Sequence, residues 1–140
     1  MKYSDLDGRL IAAVRIRGRV NVDSRIEDTM ERLHLPKVNN CALIKVDAAY
    51  AGMLEKCMNH IAFGEIDEPT LGKLVKKYLP KEDPKEIFEG KKSVKDFKES
   101  MPFRLKPPRH GLRSSKLSYT QGGSLGYMGK SINNLLSRMI

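Results

Sequence analysis

The sequence is poor in the residues that build large cores and covalent frameworks: 6% of its 140 residues are aromatic, none is tryptophan and only two are cysteine. Cys41 and Cys57 belong to no CxxC motif, which argues against a zinc ribbon and against a redox-active pair. Cys41 falls in a strand pattern and Cys57 in a helical pattern. We therefore expect a modest core with two buried, reduced thiols, as in a cytosolic protein.

Long hydrophobic runs are also missing. The apolar run in the N-terminal stretch MKYSDLDGRLIAAVRIRG is short and is interrupted by Arg15 and Arg17, which does not fit a signal peptide. Nowhere does an apolar run approach the roughly 20 residues that span a bilayer. The sequence predicts a soluble, cytoplasmic protein without a membrane partner.

Acidic residues are absent from the last forty positions. Residues 1–60 carry ten basic and eight acidic residues, residues 61–100 carry nine of each, and residues 101–140 carry seven basic residues and no acid. Most of the formal net charge of +9 therefore lies in the C-terminal quarter. Such a charge distribution is typical of a protein with a polyanionic partner, above all a nucleic acid.

Motifs of catalysis are missing or fail on spacing. The stretch GGSLGYMGKS ends like a phosphate-binding P-loop, but Ser124 occupies the position of the required early glycine, and only nine residues follow Ser131. His34, His60 and His110 have no partner at metal-ligand spacing. We expect no enzyme activity, no cofactor, no metal site and no small-molecule substrate.

Hydrophobic periodicity predicts alternating strands and helices along the first 79 residues. Ser24 and Glu27 have the spacing of a capping box, and Asp47 and Asp67 stand where N-caps are expected. The predicted strands cover residues 10–17, 40–46 and 61–66, and the predicted helices cover about 24–35, 48–58 and 68–79.

These elements favour an α+β fold. We expect a small three-stranded sheet in βαβαβ order with helices on one face, so that the other face, which carries Arg15 and Arg17, is open to a partner. The chain divides into an αβ core domain over residues 1–79, a charged helical connector over 80–100, and a basic Gly/Arg-rich extension over 101–140.

Two further helices are predicted in the last two segments. In the connector, Ser93 is placed to cap a helix anchored by Val94 and Phe97. The stretch SINNLLSRMI predicts a short terminal helix, which must dock to persist. Its apolar stripe consists of Ile132, Leu135, Leu136 and Met139.

The C-terminal segments FRLKPPRHGLRSSK and SYTQGGSLGY combine arginine, glycine and aromatic rings in a way that suits RNA. Arginine forms bidentate phosphate contacts, glycine lets the backbone approach phosphates, and Tyr119 or Tyr127 could stack on an unpaired base. Two alternatives stay open on composition alone. The segment could be a basic, poorly ordered tail, and Arg15 and Arg17 could face water instead of RNA.

The stretch AAVRIRGRVNVDSRIEDTMERLHLPKVNNCALI, followed by GMLEKCMNHIAFGEID, resembles the family of ribosomal large-subunit protein thirty. The later segments FRLKPPRHG and QGGSLGYMGKSINNLLSRMI resemble the C-terminal extension of its archaeal and eukaryotic members, which the short bacterial members lack. The chain is similar to the archaeal form, because it lacks the long basic N-terminal extension that is typical of eukaryotic members.

The resemblance implies a ferredoxin-like three-stranded core and a structural role in the large ribosomal subunit. The implied partners are the large-subunit 23S-type rRNA, the 5S rRNA and neighbouring ribosomal proteins, and the family has no catalytic residues to transfer. The alternative function is a free-standing RNA-binding or regulatory protein outside the ribosome.

The resemblance also indicates which residues contact rRNA. Arg15, Arg17 and Arg19 match the basic end of the first strand. The FRL-PPR-G element and the glycine-rich turn are matched by Arg104, Pro107, Pro108, Arg109 and Gly111 and by Gly122, Gly123, Gly126 and Gly129. The complete set of predicted rRNA contacts is Arg15, Arg17, Arg19, Arg104, Lys106, Arg109, His110, Arg113, Lys116, Tyr119, Gly122, Gly123, Tyr127 and Lys130.

Overall fold

The computed structural model describes residues 10–18, 22–78, 103–109 and 119–140, which form one mixed sheet with four helices. The strands are β1 (Leu10–Arg15), β2 (Asn40–Lys45), β3 (Ile61–Glu65), β4 (Phe103–Arg104) and β5 (Gly126–Tyr127), in the order β4-β2-β1-β3-β5. The helices are α1 (Ser24–Arg32), α2 (Ala48–Cys57), α3 (Glu68–Tyr78) and α4 (Ile132–Met139). Short 3₁₀ turns lie at Tyr119–Gln121 and Gly129–Ser131.

Strands β1, β2 and β3 confirm the three predicted strands, each ending one or two residues earlier than expected. β1 lies in the centre and pairs antiparallel with both neighbours. It stops at Arg15 because the next two amides, of Ile16 and Arg17, both donate to the carbonyl of His60, at 3.0 and 3.1 Å. Two successive donors on one acceptor end the regular ladder.

The prediction of a three-stranded sheet is wrong by two strands. β4 pairs antiparallel with β2, with Arg104 opposite Asn40, and β5 pairs parallel with β3, with Gly126 opposite Ala62. Both added strands come from residues 101–140, and each has two residues, too few for a periodic pattern. The predicted boundary at residue 100 therefore marks a change in amino-acid composition. The described residues on both sides of it belong to one sheet.

Helices cover both faces of the sheet, so the predicted open face is also wrong. Ile11 and Ala13 of β1 pack in a core with α1 and α2, while Ala12 and Val14 pack in a second core with α3 and α4. The cause is visible in the stretch LIAAV, which is apolar at successive positions, as expected of a strand that is buried on both faces.

Three of the predicted helix caps fall on described residues, and two of these are confirmed. The carboxylates of Asp47 and Asp67 each accept a hydrogen bond of 2.9 Å, from the amides of Tyr50 and Thr70. The capping box at the start of α1 is wrong: Asp23 is the N-cap and accepts from the amide two residues ahead at 2.9 Å. A carboxylate caps as well as a hydroxyl, and Ser24 already has helical geometry.

Helix α4 docks as predicted, because Ile132, Leu135, Leu136 and Met139 are all buried in the core on the α3 side of the sheet. Its last carbonyls are bound by the segment that follows β4. The amide of Lys106 donates to Met139 O at 3.1 Å, and the amide of Arg109 donates to Arg138 O at 3.2 Å. The last carbonyls of the helix thus find hydrogen-bond donors in another part of the chain.

The two cysteines are free and buried, as predicted. Burial raises the pKa of the Cys41 thiol to about 12 and that of the Cys57 thiol to about 11. None of the helices that the structure describes has the length and apolar character needed to traverse a bilayer. The helix predicted around Val94 lies outside the described residues.

Candidate nucleic-acid interface

Arg15 was predicted to face a partner from an open sheet surface, and it lies instead in the interior with a relative exposure of 0%. Its Nε donates to Arg17 O at 2.9 Å, and its Nη1 donates to Leu35 O and Pro36 O at 3.0 Å each. Nη1 and Nη2 also form a two-pronged ion pair with the carboxylate of Glu27. A guanidinium can be buried here because it is both paired and hydrogen-bonded.

The three carbonyls that Arg15 holds belong to the two connections on either side of α1. We call residues 16–18 and 33–39 the paired loops. The second loop also binds the main chain at the end of β1, since Asn39 N donates to Arg15 O at 2.9 Å. Gly18 lies beside Val38: a Cβ added to it would be 3.8 Å from Val38 Cγ2. Arg15 therefore joins the paired loops through its side chain and its main chain.

Four exposed cations surround these loops at one end of the sheet. We define the basic edge as Arg17, Lys37, Arg104 and Lys106, all of which are exposed. The β4 pair belongs to this end, since Arg104 is opposite Asn40 and the next amide, of Leu105, donates to Asn39 O at 3.1 Å.

Lys37 was not predicted as a contact. In the sequence it is an isolated lysine after Pro36. Only the fold brings it to the same end of the sheet as Arg17, which follows β1, and Arg104 of β4. Next to it, Val38 is 42% exposed and is the large hydrophobic side chain that stands out as exposed among the described residues. An exposed apolar side chain, that of Val38, therefore lies next to the basic edge.

Arg109 extends the same charged region along the end of α4. Its side chain is exposed, and its carbonyl accepts from Arg138 Nη1 at 3.2 Å, while its amide donates to Arg138 O. Arg138 itself is half-buried. The reciprocal bonds fix the backbone from which the Arg109 side chain projects.

Lys130 is exposed but does not join the basic edge. Its carbonyl accepts from Asn133 Nδ2 at 2.9 Å, and the same nitrogen donates to Glu65 O at 3.0 Å. Glu65 ends β3, whereas Ile61 at the start of β3 pairs with Arg15. Lys130 therefore lies toward the opposite end of the sheet.

The two tyrosines predicted to stack on RNA bases are engaged with protein. Tyr119 and Tyr127 are both half-buried. The Tyr119 hydroxyl is 2.8 Å from Ser131 Oγ, and the Tyr127 hydroxyl donates to Glu65 Oε1 at 3.1 Å. The ring of Tyr127 packs 5.8 Å from that of Phe63. Base stacking by these rings stays a prediction.

The glycine-rich turn approaches another part of the protein, strand β3. Gly122 is exposed and its amide donates to Tyr119 O at 3.1 Å, while Gly123 is buried. The tight contact is between the turn and β3: a Cβ added to Gly64 would lie 2.1 Å from Gly129 O. Sequence reasoning missed Gly64, although a glycine inside a strand is itself a signal of close backbone approach.

His60 lies behind Arg17 and accepts the two amides that end β1. Its Nδ1 is buried and has no hydrogen-bond partner among the described residues. Burial lowers the pKa of His60 below its usual value of 6.5, and the positive charges of Arg17 and Arg15 lower it further. The lowered pKa favours the neutral imidazole beside these two cations.

The remaining predicted contacts, Arg19, His110, Arg113 and Lys116, lie outside the described residues. Within the residues that are described, no cluster of three or more His, Cys, Asp or Glu side chains could hold a metal ion. The site that the structure does bring together is electrostatic, and it comes from three separate parts of the chain.

Comparison with known proteins gives a consistent result. The model of the family described as ribosomal protein L30p/L7e matches residues 11–61, which include Arg15, Glu27 and Lys37. Proteins named large ribosomal subunit protein uL30 match almost the whole chain. The one from Thermoplasma volcanium is 37% identical over 94% of this chain and 93% of its own length. Those from Methanoculleus marisnigri and Archaeoglobus fulgidus are each 36% identical over 93% of this chain and 99% of theirs. The chain therefore belongs to the ribosomal protein L30p/L7e family.

Proposed function

We propose that this protein is a structural, non-catalytic constituent of the large ribosomal subunit and that it binds rRNA through the basic edge. The observation that carries the proposal is the convergence of Arg17, Lys37, Arg104 and Lys106 at one end of the sheet. The relatives' name, large ribosomal subunit protein, supports the assembly in which this contact is made. The site of action is then the cytoplasmic ribosome.

The chemistry favours recognition of the RNA backbone. Arginine presents a planar fork that matches phosphate oxygens, and lysine supplies a point charge. Each phosphate neutralised by a cation releases counterions, so the logarithm of the binding constant falls by about 0.7 to 0.9 per contact for each tenfold increase in salt. The four cations of the basic edge would give a steep, sequence-independent salt dependence.

We propose a 23S-type rRNA as the main partner, with 5S rRNA and neighbouring ribosomal proteins as further contacts. Arg109 extends the basic edge and is included in the RNA-binding surface. Arg19, His110, Arg113 and Lys116 remain proposed contacts from residues 19 and 110–118. Lys130, Gly122 and Gly123 would require RNA to reach a second part of the surface, as would stacking on Tyr119 or Tyr127.

The test compares two triple variants in binding to a transcript of an archaeal large-subunit rRNA over a range of salt. Replacing Arg17, Arg104 and Lys106 by Ala should weaken binding and reduce the salt slope by about two to three units. The control replaces Arg25, Arg32 and Lys73, which are exposed on helices α1 and α3, and should leave most of the slope intact.

Incorporation into ribosomes provides the second half of the test. The wild-type chain should co-sediment with large subunits after a moderate salt wash, and the basic-edge variant should be depleted from them while its circular dichroism is unchanged. A wild-type chain that stays at the top of the gradient would contradict the ribosomal role and favour a free-standing RNA-binding protein.

A further inference from the structure

The basic edge contains cations that project from loops, and loops are ordinarily a poor support for a binding site. Arg17 and Lys37 lie in the paired loops, where neither side chain belongs to a strand or helix. Ordering a loop on binding costs free energy, and a loop whose backbone is already fixed avoids that part of the cost. The structure contains a support for both loops directly underneath.

We propose that Arg15, held by Glu27, is a positioning residue for RNA binding: its buried guanidinium fixes the paired loops so that Arg17 and Lys37 are presented to rRNA. This inference rests on the proposed function and assigns Arg15 a role other than direct contact. The guanidinium is fully enclosed, so it cannot reach a phosphate without opening the core.

The geometry fixes the backbone of both cations. The Arg17 peptide is bound on two sides, because its amide donates to His60 O at 3.1 Å and its carbonyl accepts from Arg15 Nε at 2.9 Å. In the other loop, Arg15 Nη1 binds Pro36 O, the carbonyl of the peptide bond that leads into Lys37. One side chain thus holds the attachment points of two exposed cations.

Stability alone does not call for an ion pair at this position. Replacing a buried ion pair by apolar side chains of similar volume is often neutral or stabilising. Met, Leu or Phe could fill this part of the core on the α1 side of the sheet. What an apolar side chain cannot do is bind the carbonyls of Arg17, Leu35 and Pro36 at once, which takes the fork of an arginine.

The decisive variant replaces both partners, Arg15→Met and Glu27→Met, in the full-length chain. Net charge is unchanged, since one cation and one anion are removed, and the core stays filled. We expect the variant to stay folded with a lower melting temperature, because the carbonyls of Arg17, Leu35 and Pro36 lose their donor. Its binding to the archaeal large-subunit rRNA transcript should be roughly 5- to 10-fold weaker. Unchanged affinity in this folded variant would overturn the proposal.

A second variant decides the matter if the double methionine chain fails to fold. Arg15→Lys keeps the charge and loses the fork, and its matched control is Arg25→Lys on the exposed side of α1. We expect faster amide hydrogen exchange at Arg17 and weaker rRNA binding for Arg15→Lys only. The effect on binding should vanish when Arg17 and Lys37 are already alanine.

The outcomes separate this inference from the proposed function. If Arg15→Lys weakens binding equally with and without the Arg17 and Lys37 side chains, Arg15 acts directly or globally and the positioning role is wrong. If the wild-type chain itself binds rRNA without salt dependence, the proposed function fails, whatever Arg15 does. If Arg15→Lys weakens rRNA binding only in the chain that retains Arg17 and Lys37, this result supports the positioning role.

Discussion

Gly64 is the residue at which the C-terminal turn comes closest to the sheet. A Cβ at this position would lie 2.1 Å from Gly129 O and 2.9 Å from Ile132 Cγ2, so backbone would have to move. We expect Gly64→Ala to lower the free energy of unfolding by about 1–3 kcal/mol, as overpacking does. Urea denaturation, followed by circular dichroism, measures this change in the free energy of unfolding.

Gly72 provides the matched control. It lies within α3, and a Cβ added there meets nothing within 4 Å. Gly72→Ala should therefore raise stability by about 0.5–1 kcal/mol, because alanine loses less backbone entropy in a helix. Equal effects of the two substitutions would show that the Gly64 contact does not govern stability.

His60 makes the stability of the fold depend on pH. Its pKa is lower in the folded chain than the value of about 6.5 expected in the unfolded chain, because burial and two arginines disfavour the charged form. Between the two pKa values the unfolded chain binds more protons, so this contribution is fully present above about pH 6.5 and is lost as the pH falls.

His60→Gln removes that titration. We expect the wild type to lose more stability than the variant when urea denaturation is repeated at about pH 7.5 and about pH 5.5. Carboxylates that titrate at lower pH affect both chains alike, so the difference between them isolates the imidazole. Parallel curves for the two chains would argue against a depressed pKa at His60.

At the scale of elements, α4 is tied to the sheet by one buried amide. Asn133 Oδ1 accepts from Asp67 N at 2.9 Å, and its Nδ2 donates to Glu65 O and Lys130 O. Asn133→Ala leaves buried backbone groups without partners and should destabilise the chain by about 1–3 kcal/mol. Asn134→Ala, on the exposed side of the same helix, should change unfolding by less than about 0.5 kcal/mol.

Elements with several turns or alternations could be predicted from the sequence. The stripes of α3 and α4 and the apolar stretches of β1 to β3 extend over five or more residues, and the presence of each of these elements was predicted correctly. β4 and β5 have two residues each, so their existence depends on long-range pairing that no local pattern encodes.

The error at Arg15 has a different origin. Alternation correctly places its side chain on the same face as Ile11 and Ala13. The helices were assigned to one face only, so this face was taken as open. Burial of an arginine depends on the position of Glu27 and of three carbonyls, which become neighbours only in the folded chain. Lys37 was missed for the same reason, whereas the other three residues of the basic edge were predicted.

At the scale of the whole molecule, the C-terminal segment covers one face of the sheet. Ala12 and Val14 share their core with Ile132, Leu135 and Met139 of α4. A chain ending at residue 100 would also lose β4 and β5 and leave β2 and β3 as longer open edges, which promote association. We expect this truncation to bind a hydrophobic dye and to sediment as aggregates, unlike the full chain. A monomeric, cooperatively unfolding truncation would contradict the shared core.

The amides of Lys106 and Arg109, which bind the last carbonyls of α4, have a thermodynamic consequence. The segment that closes this helix is the same one that carries three exposed cations to the proposed RNA-binding surface. A ligand that binds only the ordered segment must stabilise whatever is ordered with it. Bound rRNA should therefore slow amide exchange along α4, although the helix itself packs against the sheet and α3.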